Sequence, residues 1–151
     1  MRTSVIIALL WIAALPCLAQ NTTIITLPGT KAEHRPQNFH ITAVEDHRDG
    51  TTTLGRINEG SIDLQGGLAK GLTEYINKNV EQNSNTLPVT MRINRFAITE
   101  KTAGAKRQFE LQVSIAYYTS TSKLVEYNGN SFAQSNGEAN SYIEKLIRKN
   151  I

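Results

Sequence analysis

Five consecutive residues, Glu45-Asp46-His47-Arg48-Asp49, hold three carboxylates, an imidazole and a guanidinium, and His34 and His40 lie shortly upstream. Side chains of these types can do two kinds of chemistry. Histidines with an aspartate ligate zinc, so His40, Asp46 and His47 together suggest a secreted metal-dependent hydrolase. A histidine held near a hydroxyl such as that of Ser61 can also act as a general base. The spacing argues against both. His40 falls on the polar positions of a stretch that alternates with period two, and His47 lies beyond its end. The pair matches neither the i, i+4 pair of a helical zinc site nor two strand residues facing the same way. No G-x-S-x-G is present, and Gly66, Gly67 and Gly71 lack both the Lys-Ser or Lys-Thr ending of a phosphate loop and the G-x-G-x-x-G pattern. The expectation is a chain that is not an enzyme, with no catalytic residue, cofactor or metal, in which the cluster is the solvated end of a strand.

A second group of charges, Arg92, Arg95, Lys101, Lys106 and Arg107, makes the middle of the chain basic. Charged strands discourage sheet-to-sheet aggregation, which is the plain reading. The sharper one takes Arg92, Arg95, Lys106 and Arg107 as contacts for an anionic lipid or lipopolysaccharide surface, although Glu100 and Glu110 dilute the patch.

The elements that must position these residues follow from periodicity. In NFHITAV, Phe39, Ile41 and Ala43 alternate with polar neighbours as in a half-buried strand. The segment Glu45 to Gly60 reads as a polar, glycine-containing connection. From Ser61 the run SIDLQGGLAKGLTEYINKNVEQ places Leu64, Leu68, Leu72, Ile76 and Val80 on one helical stripe, with Ser61 or Asp63 as its cap. Its glycines are costly in a helix at about 1 kcal/mol each relative to Ala, which points to close packing on a sheet. VTMRINRFAITE reads as a strand whose apolar phase changes around Asn94-Arg95, the mark of a bulge or bend. QFELQVSIAYYTS alternates cleanly, and KLVEYNGNSF reads as a further strand that loses regularity near Gly129. SNGEANSYIEKLIRKNI carries Ala139, Ile143, Leu146 and Ile147 at helical spacing, with a capping box at Ser135 and Glu138. The expected fold is α+β, a sheet of about four strands with two helices packed on one face in the order β-α-β-β-β-α.

Residues 1–19 read as an export signal: Arg2, the apolar run Val5 to Ala14, then a small residue at Ala19. Cleavage there leaves 132 of the 151 residues, with 20–37 as an extended leader that includes one edge strand at TIITL and 38–151 as a single domain. Its net charge falls from +3 to +2, too mild for a nucleic-acid binder. Cys17 is the only cysteine. Removed with the signal, it leaves no disulfide or thiol chemistry; lipidated, it anchors the chain to a membrane, the one route to membrane association. The sequence leaves the oligomeric state open.

These segments resemble the exported bacterial lipoproteins of the YajG kind, and more distantly LptE and the ABC-transport auxiliary lipoproteins. The resemblance is carried by FHITAVEDHRDG with its Asp46-His47-Arg48, by LGRI (Leu54 to Ile57), by LAKGLTEYI, and by PVTMRINRFAITE followed by FELQVSIAYY. The sequence departs from that family at Ala14 and Pro16, which do not form the usual lipidation box before Cys17. What the resemblance implies is a domain of the periplasm or outer membrane that binds or scaffolds an envelope protein or lipid without chemistry. In it, Asp46 would turn the chain by accepting from nearby amides and Arg48 would pair with it or with a partner. A carrier of a small apolar ligand, enclosed between sheet and helices, is a further alternative.

Overall fold

The computed structural model describes residues 21–29, 38–58, 60–80, 83–103, 106–135 and 139–151. The expected export signal, Cys17, His34 and the Glu138 half of the expected capping box lie outside them. Among the described residues the chain forms one mixed sheet of seven strands and two helices. The strands are β1 (Thr22–Ile25), β2 (Phe39–Asp46), β3 (Gly55–Ile57), β4 (Gly60–Leu64), β5 (Leu87–Ala103), β6 (Lys106–Tyr118) and β7 (Lys123–Ser135). The helices are α1 (Leu68–Asn79), between β4 and β5, and α2 (Ala139–Asn150), after β7.

The four-stranded expectation is therefore wrong, and the reason is local. The connection from Glu45 to Gly60 contains β3 and the start of β4, two strands too short to show a period; β3 spans only three residues. β3 and β4 form a hairpin with each other, which strands distant in sequence hold in the sheet. Gly55 and Arg56 run parallel to Ile98 and Thr99 of β5, and the three residues of β3 pair antiparallel with β4. The run from Ser61 to Leu64 belongs to β4, so neither Ser61 nor Asp63 caps a helix. Leu64 is buried through the sheet, by the accident that a helix stripe and a strand can both claim it. β1, in the stretch read as a leader, pairs parallel with β4 and sends Ile25 into the core.

Gly66 and Gly67 sit in the turn between β4 and α1 with φ of 80° and 86°, a left-handed region that glycine adopts without a Cβ penalty. Only Gly71 makes the close approach that the sequence suggests. A Cβ there would lie 2.9 Å from Leu64 Cβ.

The middle of the sheet is an antiparallel meander, β5-β6-β7, with β7 at its end. Register fixes its faces. Met91, Ile93, Phe96 and Ile98 of β5 stand opposite Tyr117, Ile115, Val113 and Leu111 of β6, and this side joins the buried residues of both helices in one core. A register shift between Ile93 and Arg95 keeps Phe96 and Ile98 on the core side despite the change of sequence phase. The other face carries Thr90, Arg92, Arg95 and Thr99 from β5 and Glu110, Gln112 and Ser114 from β6. No described helix is long and apolar enough to cross a membrane.

Candidate functional site

One edge of β5 is used twice. Its first half, Leu87 to Ile93, pairs with β2, and its second half, at Ile98 and Thr99, pairs with β3. Between these partners the edge would expose backbone carbonyls, and an unpaired buried carbonyl is costly. The opening charge cluster fills that gap. His47 N donates to Ile93 O at 2.9 Å and Ile98 N to Leu54 O at 2.7 Å. The Arg48 guanidinium sits between them. Its Nη1 donates to Thr53 O at 2.8 Å and Phe96 O at 3.2 Å, while Nε and Nη2 each reach an Asp46 carboxylate oxygen at 2.8 Å. The Arg48 side chain is only 5% exposed. Asp46 Oδ1 also accepts from Arg48 N at 3.2 Å. The bond from the Arg48 side chain holds the Asp46 carboxyl below its ordinary range, against the opposing effect of burial. Asp46 and Arg48 thus form a clasp that joins two strands across a break in the sheet, and the guanidinium is occupied by the chain itself.

The remaining members of the cluster go elsewhere. Glu45 lies on the open face, where His47 Nε2 is 2.8 Å and Arg92 Nε 2.9 Å from its Oε2. Those contacts, His47 first, lower the Glu45 pKa, and Arg92 also lies 4.3 Å over the Tyr118 ring. His40 is near the other end of β2, its Nδ1 3.2 Å from Thr86 Oγ1. Along an extended strand the two histidines are roughly 20 Å apart, and both Asp46 oxygens are engaged by Arg48. No group of three or more potential ligands that could hold a metal ion occurs among the described residues.

The basic residues do not converge either. Arg107 lies on the core side of the sheet, beside the Phe109 ring, with its Nε bonded to Glu100 and its Nη2 3.4 Å from Asn58 Oδ1. Glu100 is held below the usual carboxylate range mainly by Arg107. On the open face Lys101 Nζ donates to Glu110 at 2.9 Å; the bond from Gln112 and then that from Lys101 keep the Glu110 pKa low. Arg95 borders an open, polar trough of about 510 Å³ with Gln112, Ser114, Asn128 and Asn130, and Lys106 sits exposed at the far end of β6. Arg92, Arg95, Lys106 and Arg107 are thus divided between two faces, and two of them are neutralised by glutamates. The space between α1 and the β1–β4 pair is about 70 Å³, far below the 300 Å³ or more of a typical ligand pocket.

The strand expected at KLVEYNGNSF is β7, and the surface feature that the sequence reading did not single out is its exposed apolar character. β7 is thirteen residues long and, among the described residues, has β6 as its only strand partner. Leu124, Val125, Tyr127 and Phe132 on it are 44%, 49%, 46% and 56% exposed. Its two charges, Lys123 and Glu126, pair with each other at 2.9 Å. The signal was present in the adjacent Leu124-Val125, where apolar residues occupy both faces of one strand. α2 covers part of the core side, with Tyr127 Oη 3.3 Å and Ser131 Oγ 3.1 Å from Asn150 Oδ1, but among the described residues no strand pairs with the outer edge.

No protein-family model matches the chain, and no curated protein matches its sequence.

Proposed function

We propose that this chain is a non-enzymatic binding module of the cell envelope, exported through residues 1–19, which meets its partner by strand addition along β7. The observation that carries the reading is the long β7 edge, unpaired on its outer side among the described residues and bearing four exposed apolar side chains. Such an edge offers a row of backbone donors and acceptors to an incoming extended strand, and the side chains beside it supply selectivity. The conspicuous ionisable residues support the same view, since Arg48 and Asp46 are spent on holding the sheet together. The motif resemblance to YajG-like envelope lipoproteins agrees with it. Membrane tethering is part of the proposal only if Cys17 is lipidated, which the intact mass of the exported protein decides.

The test is site-specific photo-cross-linking in cells, with the probe placed at Val125 or Phe132 and, as a control, at Thr99 on the opposite part of the sheet. Discrete protein adducts from the β7 positions in the envelope fraction are expected. Adducts from Thr99 alone, or a protein confined to the cytosol, would overturn the reading.

A further inference from the structure

The partner of β7 can be narrowed, on the footing that β7 is the interaction edge. We infer that it is β7 of a second copy of this chain, paired antiparallel about a two-fold axis perpendicular to the sheet, with Asn128 opposite Asn128 of the second copy.

The argument begins with symmetry. A perpendicular two-fold keeps the same face of both sheets on the same side, so directly opposed residues must share a face. That restricts the register to steps of two. Centring on Glu126 sets two like charges against each other, which is destabilising. Centring on Gly129 leaves Phe132 against Glu126 and Leu124 against Gln134. Centring on Asn128 brings Phe132 against the bulge at Lys123-Leu124, beside the exposed Leu124, in both halves of the contact, and sets Glu126 against Asn130. Val125 and Tyr127 then face Ser131 and Gly129, two small residues.

The second observation concerns area. A strand edge alone is a thin contact, whereas a stable interface buries upwards of about 1,000 Å². α2 packs over both β6 and β7. With strands about 4.8 Å apart, two helices placed over the β6–β7 pairs on either side of the axis would lie roughly 10 Å apart, which is helix-packing distance. A second copy therefore brings a second layer of contact that an isolated peptide strand would lack. The product is a continuous sheet whose two polar faces lie side by side.

Sedimentation velocity on the purified protein tests this, with disulfide trapping of Asn128→Cys in a Cys17→Ser background. Directly opposed residues in antiparallel strands have Cα atoms about 4.5 to 5.5 Å apart, within disulfide reach. The expected result is a species of twice the chain mass, rapid oxidation of Asn128→Cys to a covalent dimer, and no trapping of Gln134→Cys, which is out of register. Phe132→Lys should weaken the dimer by about thirtyfold or more, the loss of a central apolar anchor, with its far-UV circular dichroism unchanged. Leu124→Glu is the second variant should Phe132→Lys misfold. A monomer at roughly 0.1 mM, where even weak association shows, would overturn the inference, and so would a dimer that Asn128→Cys fails to trap or that both variants leave intact. Monomeric protein whose β7 probes still cross-link to another envelope protein would reject the second copy and keep the proposed function. Monomer without any β7 adduct would reject both.

Discussion

Arg48 does with one side chain what the backbone cannot do where β5 changes partners. Its guanidinium satisfies Thr53 O, Phe96 O and both Asp46 oxygens in a fork that no other side chain reproduces. Arg48→Ala should lower unfolding free energy by about 3 kcal/mol, because two carbonyls and a carboxylate lose their partner at a largely covered site. Arg48→Lys should recover less than half of that, since an ammonium cannot make the bidentate contact. Urea unfolding midpoints decide it; a change within error for Arg48→Ala would show that the clasp is not structural. The charged cluster was visible in the sequence, yet its purpose was not. Two of the acceptors are backbone oxygens, which have no residue type to read, and Phe96 lies 48 positions from Arg48.

At the scale of elements, the two helices turn out to be built alike. The buried residues of α1 are Leu68, Leu72, Tyr75, Ile76 and Asn79, and those of α2 are Ala139, Ile143, Leu146, Ile147 and Asn150, position for position the same pattern. Each closing asparagine donates its side-chain amide to the carbonyl four residues earlier, Tyr75 O at 2.8 Å and Leu146 O at 2.7 Å. Helical periodicity found both stripes, but the start of α1 was read too early because Leu64 fits the stripe as well as it fits β4. Gly71 marks where the two elements touch. In a free helix Gly→Ala would stabilise by about 1 kcal/mol, whereas here the new methyl meets Leu64 Cβ at 2.9 Å. Overpacking of this kind costs about 1–3 kcal/mol, so Gly71→Ala should be net destabilising. A rise in its thermal midpoint would refute the close packing of α1 on β4.

For the whole molecule, the ion pairs set a pH dependence. Asp46, Glu100 and Glu45 all have folded pKa values below their unfolded ones, through Arg48, Arg107 and His47 respectively. Their stabilisation is complete above the ordinary carboxylate range of about 4 and is lost as pH falls through the depressed folded values. Tyr117 works at the other end. Burial raises its pKa, so its contribution is complete below about 10 and declines as pH rises through the folded value. Thermal midpoints in a pH series at constant ionic strength should fall on both sides, and Glu100→Gln should flatten the acid limb while Tyr117→Phe flattens the alkaline one. An acid limb as steep in Glu100→Gln as in the wild type would remove Glu100 from the account.

Taken by itself, the amino-acid sequence determined what short-range physics can carry: the long alternating strands around β6, the two amphipathic helices, and the change of face near Asn94. Each of these repeats within a few residues, so neighbours in the chain report it. Tertiary structure alone decided how β3 and β4 join the sheet, which edge of β5 is shared, and that β7 ends the sheet with apolar side chains turned to solvent. The sharing of the β5 edge depends on hydrogen bonds to β2 and β3, whose residues lie more than forty positions away, and no local pattern encodes which strand will lie beside which.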